Sequence, residues 1–160
     1  MQTTTSTSLL PGTSVEIVRP VTRPTRLRMA LLDFDGTLSL IRAGWQHVMA
    51  ERMVVDLLAL ETGESAEALR AEIMSMIDRT TGQPTAHQMD AFREAVASRG
   101  GTPLSTMACM DRYRADLARV IDERRRALAS GEASAERYLL PGARDLLEGL
   151  RMRGIALFLA

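Results

Sequence analysis

The stretch "ALLDFDGTLSL", residues 30–40, decides how this chain is read. Met29-Ala30-Leu31-Leu32 is apolar without interruption, which is the pattern of a strand buried in a parallel sheet. Asp35-Gly36-Thr37 then supplies the turn chemistry that stops it. Asp33 and Asp35, with one residue between them, project to the same side if the extended conformation persists through Phe34. Two carboxylates held that close repel each other and call for a compensating positive partner. A divalent cation is the simplest one.

Composition bounds what such a pair can serve. The chain has 160 residues, of which 46% are hydrophobic, enough for one ordinary domain with a real core. Its 20 basic and 20 acidic residues balance, so no global field favours nucleic acid or an anionic membrane. All the basic residues are Arg, and the chain contains no Lys. A single cysteine, Cys109, excludes an internal disulfide and fits a reducing, cytoplasmic setting; its neighbours Met107, Ala108 and Met110 assign it to helix packing. No apolar run approaches the roughly 18–20 residues that span a bilayer.

The first 27 residues differ from the rest. "MQTTTSTSLLPGTS" is rich in Thr and Ser and has no amphipathic period, so residues 1–27 read as a disordered leader. It lacks the apolar centre of a secretory signal, while Arg19, Arg23, Arg26 and Arg28 leave an organellar transit peptide as an alternative. Within it, "VEIVRP", residues 15–20, suits a short edge strand ended by Pro20. After the acidic stretch, apolar residues from Ile41 and Trp45 to Leu58 recur at helical spacing up to Gly63. Ser65 can cap a second helix, through Leu69, Ile73, Met76 and Ile77, with Met74 as further packing. Pro84 suits the first turn of a third, through Met89, Phe92 and Val96, closed by Gly100-Gly101. A fourth spans about Ser105–Ser130. The tail "LLPGARDLLEGLRMRGIALFLA", residues 139–160, predicts a short helix with Leu146, Leu147 and Leu150 inward, a stop at Gly154, and a second apolar strand at Ile155–Leu159. Strand, helical insertion, helix, strand is an α/β order.

In open α/β sheets ligands bind beyond the carboxyl ends of the strands, where Asp33 and Asp35 fall. The most economical chemistry for the pair is phosphoryl transfer. Asp33 serves as nucleophile and Asp35 as the acid that protonates the leaving oxygen. Mg²⁺, a hard ion that prefers oxygen ligands, suits the two carboxylates. Thr37 can fix the turn through its hydroxyl, and Gly36 permits close approach of backbone to phosphate.

Asp33-Phe34-Asp35-Gly36-Thr37-Leu38 resembles the first motif of the haloacid dehalogenase-like (HAD) hydrolase superfamily. The tail from Tyr138 is similar to the helix and strand that lead into that family's second motif. The intervening helices occupy the place of its helical cap, as in phosphoglycolate phosphatase-like and β-phosphoglucomutase-like members. The resemblance implies an α/β fold: a HAD-type Rossmann-like core, incomplete at its first two parallel strands (28–40 and 139–160), with an inserted α-helical cap (41–138). It also implies a Mg²⁺-dependent phosphatase acting on a small phosphorylated metabolite, such as a sugar phosphate or phosphoglycolate, through an aspartyl-phosphate. A phosphomutase uses the same two acids, and a non-catalytic interaction module is the alternative from another class.

The departures from the pattern are specific. The phosphate-binding Ser or Thr expected after the second strand falls beyond Ala160, no Lys is present for the third motif, and no paired acids follow an apolar strand for the fourth. The expectation is the front part of such an enzyme, inactive in isolation unless another chain complements it. Further substrate contacts are expected from Arg42, just after the motif, and from the connection Arg79-Thr80-Thr81-Gly82-Gln83-Pro84-Thr85. In that connection Arg79 suits an anion, and Thr80, Thr81 and Gln83 suit hydroxyls. Trp45 reads as cap core. His47 and His87 have no second ligand at helical spacing, and Arg124-Arg125-Arg126, balanced by Asp122 and Glu123, reads as a solvated helix face.

Overall fold

In the computed structural model, which describes residues 8–18 and 26–160, the chain begins with a hairpin of β1 (Ser8–Leu9) and β2 (Glu16–Ile17). The Leu10 N–H donates to the Val15 carbonyl at 2.8 Å and the Thr13 hydroxyl to the Leu10 carbonyl at 2.9 Å. Residues 8–18 therefore depart from the expectation of disorder. Pro11-Gly12 makes a turn that these local bonds close, and a two-residue pairing needs no amphipathic period. The edge strand expected at 15–20 is present as Glu16–Ile17, while Arg19, Pro20 and Arg23 lie outside the described residues.

β3 (Met29–Leu32) pairs in parallel with β4 (Ala156–Leu159), Met29 opposite Ala156 and Leu32 opposite Leu159. Between them run α1 (Trp45–Leu58), α2 (Ala66–Thr80), α3 (Thr85–Ser98) and α4 (Thr106–Ala129), a 3₁₀ turn at Ala135–Tyr138, and α5 (Ala143–Met152). The chain is thus mixed α/β, with five α-helices and a small parallel sheet among the described residues. No helix among them is long and apolar enough to cross a membrane.

Local chemistry explains the helix boundaries. The Ser65 and Ser105 side chains accept from the N–H groups of Ala68 and Ala108, capping α2 and α4. Pro84 occupies the N-cap of α3, one residue earlier than its expected place in the first turn. Helix α1 packs on α2 and α4, and α3 packs on both as well, so the four close a bundle. Its core holds Met49, Met53, Leu57, Leu69, Ile73 and Ile77, with Phe92, Cys109 and Leu117 around them. Cys109 is buried, as its neighbours implied, whereas Met107 is exposed instead of packing. Its position in the first turn of α4 faces away from the stripe formed by Cys109, Tyr113 and Leu117.

Arginine forks tie the bundle from outside. Arg52 reaches Asp116 at 2.6 and 3.1 Å, and Arg112 reaches Asp56 at 2.9 Å through both nitrogens, joining α1 to α4 twice. Arg70 pairs with Glu51 across α1 and α2. Arg99, beyond α3, grips Glu64 and Glu72 at 2.7 Å each. Two planar N–H groups fixed on two carboxylate oxygens give an orientation that an ammonium does not.

The sheet is less buried than its sequence predicts. Met29 and Leu31 are 66% and 69% exposed, all of β4 is exposed, and Leu146 on α5 points outward instead of inward. Two strands and one short helix offer too little surface to cover both faces of an apolar ribbon, so continuous hydrophobicity does not here report burial.

Leu57→Ala, at a position with 0% exposure, is expected to cost about 2–5 kcal/mol in urea denaturation, against about 0.5 kcal/mol or less for Leu58→Ala at the half-exposed end of α1. The hydrogen bonds from Arg99 and from the Thr62 hydroxyl hold the Glu64 carboxyl down to about 2, from the ordinary 4.5. A carboxyl with a depressed folded-state pKa contributes stability above about pH 4.5 and loses it as pH falls towards 2. Glu64→Gln should therefore lower the melting temperature at neutral pH, with the difference from wild type closing between pH 4.5 and 2.

Candidate functional site

Beyond Leu32 the backbone leaves the ladder and curls into a tight loop. The Phe34 carbonyl accepts from both Leu38 N–H (3.0 Å) and Ser39 N–H (2.8 Å), and Gly36 N–H donates to the Ser39 carbonyl at 2.8 Å. Gly36 sits at φ +76°, and a Cβ there would meet nothing within 4 Å, so the requirement for glycine is the backbone angle and not space. The loop is then pinned from the far end of the insertion. Leu40 N–H donates to the Tyr138 carbonyl (2.7 Å) and Leu140 N–H to the Leu38 carbonyl (3.0 Å).

Each acid has one oxygen engaged. The Thr37 hydroxyl donates to Asp33 Oδ2 at 3.2 Å, and Arg42 Nη1 donates to Asp35 Oδ2 at 2.7 Å. Both carboxylates are exposed. The Asp35–Arg42 pair is half-exposed on both sides and is worth at most about 1 kcal/mol, so it orients the groups more than it stabilises the fold. The hydrogen bond to Asp35 also pushes the Arg42 guanidinium above its already high range.

A cleft of about 510 Å³ opens beside Asp35. Its walls join the acidic loop (Asp35, Gly36, Arg42), the start of α1 (Trp45) and the connection between α2 and α3 (Gly82, Gln83). Gln83, Gly36 and Arg42 are thus brought together with Asp35, while Asp33 and Thr37 sit at the strand end outside the lining. Arg79, Thr80 and Thr81 are not brought in. Arg79 donates to Ser75 Oγ at 2.6 Å, Thr80 Oγ1 to the Met76 carbonyl at 2.8 Å and Thr81 Oγ1 to the Ile77 carbonyl at 2.9 Å. Their polar groups finish the last turn of α2. Trp45 does two jobs, packing partly against the bundle core and lining the cleft. His47 and His87 are exposed on their helices.

Several residues enter the site without having been expected there, Gln46, Gln88, Tyr113 and Arg124 among them. Gln88 and Tyr113 line the cleft from α3 and α4, Gln88 only 3% exposed and Tyr113 buried; burial pushes the Tyr113 phenol up, so it stays protonated. Arg124 is not part of a solvated face. Its Nη1 donates to the carbonyls of Ile41 (2.7 Å) and Ala43 (2.9 Å), and its guanidinium lies 6.0 Å from the centroid of the Tyr138 ring. It braces the loop that carries Arg42 against α4. A readable signal existed in both helices. Gln88 precedes Phe92 by four residues, and Arg124 lies four before Leu128 and three after Ile121, so each polar residue stands on an apolar stripe.

No family model, no curated protein and no solved structure matches the chain.

Arg124→Ala removes two charge-assisted hydrogen bonds and leaves two carbonyls without that donor. Stability should fall by about 1–3 kcal/mol, and hydrogen exchange at Trp45 and His47, whose N–H groups bond back into this loop, should speed up. Arg125→Ala, on the exposed neighbour, should change stability by no more than about 0.5 kcal/mol. Equal responses from the two variants would deny Arg124 its bracing role.

Proposed function

We propose that this chain carries the nucleophile and general acid of a Mg²⁺-dependent phosphatase of the HAD type, acting on a small phosphomonoester. The observation that carries the reading is the pair Asp33 and Asp35 beyond the end of a parallel strand, each with one oxygen engaged and the other without a side-chain partner among the described residues. The hexapeptide 33–38 and the helical insertion between β3 and β4 support it as well.

In this mechanism the free carboxylate oxygen of Asp33 attacks phosphorus while the bond to the leaving oxygen breaks. Thr37, donating to the other oxygen, orients the attacking one. Asp35, as the general acid, gives a proton to the leaving oxygen. It then takes a proton from water, which attacks the aspartyl-phosphate, frees inorganic phosphate and restores Asp33. The donor set is all hard oxygen and fits Mg²⁺, which the Asp33 carboxylate and a nearby backbone carbonyl of the acidic loop would hold together with phosphate oxygens. When bound, the ion neutralises charge on the phosphoryl group and between the two acids. Arg42 adds positive charge on the cleft side of Asp35. Residues 1–160 include no Lys to balance the transferred group, so turnover by this chain alone is expected to stay near background.

Trp45 is the sole tryptophan and lines the cleft, so its fluorescence reports on the site directly. Beryllofluoride, which mimics a phosphoryl group on a carboxylate, should bind the wild-type chain only with Mg²⁺ present. Binding should vanish in Asp33→Asn and persist in Asp35→Asn. Absence of Mg²⁺-dependent binding, or its survival in Asp33→Asn, would remove the phosphatase reading in favour of a non-catalytic module.

A further inference from the structure

Gln88 poses a problem that the proposed chemistry does not solve. Its side chain is 97% removed from solvent, yet it makes no side-chain hydrogen bond to protein among the described residues. No side-chain nitrogen or oxygen there is sealed off without a partner, so the Gln88 amide opens onto the cleft that it lines. The polar end of the side chain is thus left to whatever fills the cleft, and packing alone would favour Leu or Met at this point of α3. A ligand that displaces water from the cleft must bond to the amide in its place.

The character of that ligand follows from the rest of the wall. Apart from Asp35 and Arg42, which pair with each other at the acidic loop, no charged side chain lines the cleft among the described residues. The other polar groups are neutral and of both kinds: Gln46, Gln83 and Gln88 each offer a donor and an acceptor, and Thr85 and Tyr113 offer hydroxyls. Trp45 supplies a flat apolar surface beside them. A carboxylate entering this wall meets only Arg42 and an ammonium only Asp35, and those two groups already pair with each other. A polyol or sugar ring satisfies it, because every hydroxyl both donates and accepts and its C–H faces suit an indole.

We infer that the inner cleft is a subsite for an uncharged, polyhydroxylated group, with Gln88 as the residue that selects it. The inference rests on the phosphatase reading for the place of the phosphoryl group and makes the organic end of the substrate a polyol or sugar, not a carboxylate such as that of phosphoglycolate.

Trp45 fluorescence tests this on the full chain with glucitol 6-phosphate, glucose 6-phosphate, 2-phosphoglycolate and inorganic phosphate as probes. The first two should bind about tenfold more tightly than the last two, the margin of one or two good hydrogen bonds. Gln88→Met should abolish that margin while leaving affinity for inorganic phosphate unchanged. Its melting temperature should hold or rise, an outcome that a merely structural glutamine would not produce. Gln83→Ala, on the exposed connection and neutral for folding, should narrow the margin about threefold. Equal affinity for all four probes, or a margin untouched by both variants, would overturn the subsite. Unphosphorylated glucitol separates the two readings. A response to it without Mg²⁺-dependent beryllofluoride binding removes the phosphatase and keeps the subsite, and beryllofluoride binding without a margin among the phosphates removes the subsite alone.

Discussion

Two backbone hydrogen bonds hold this structure to its purpose: Leu40 N–H to the Tyr138 carbonyl and Leu140 N–H to the Leu38 carbonyl. With the β3–β4 ladder they close the base of the insertion. Closing so long a loop costs entropy, but the cost grows only logarithmically with length, so two bonds and local packing suffice once the bundle is folded. One side of this clamp is the acidic loop itself, and the helices that follow it bring Gln88 of α3 and Tyr113 of α4 to the same cleft as Asp35. The cleft is a consequence of where the chain leaves the sheet and where it returns.

Arg124 strengthens the same junction from a different direction. It satisfies the carbonyls of Ile41 and Ala43, which the turn before α1 leaves without helical partners, and so fixes the segment carrying Arg42. The bundle around it is stapled by guanidinium forks. A chain with no Lys has only Arg for every ion pair, and Arg carries planar geometry with its charge. Arg52 on Asp116 and Arg112 on Asp56 fix the rotation of α4 against α1 as well as their distance, and that rotation turns Tyr113 towards the cleft. The distribution of roles is consistent: forks outside, methionine and aliphatic packing inside, and neutral polar groups beside the Asp35–Arg42 pair along the cleft.

Legibility in the sequence followed the range of the interactions concerned. The strand Met29–Leu32, the Ser65 and Ser105 caps, the Ser130 end of α4 and the stop at Gly154 are set by groups within four residues of one another, and all stand where periodicity and capping chemistry predict them. The acids at 33 and 35 were equally legible, since strand end, turn and hydroxyl partner lie within a pentapeptide. Burial of the strands was misread, because hydrophobicity reports what a residue can tolerate and only neighbours decide what it receives. Arg124 was misread for a related reason. Flanked by two further arginines and two acids, it looks solvated from every local viewpoint, and the carbonyls it serves are more than eighty residues away.

What the sequence by itself determined is therefore the helices and strands from Met29 onward, their α/β order and the acidic pair with its turn, because each rests on backbone preferences and short-range hydrogen bonds. Only the tertiary structure decided which polar residues share a cavity. Gln83, Gln88 and Tyr113 come from a connection and two different helices, and nothing in their spacing relates them to Asp35. Their meeting depends on the crossing and rotation of packed helices, which contacts between distant residues set. Arg79, Thr80 and Thr81 are withdrawn by shorter-range bonds, to groups four residues earlier in the last turn of α2.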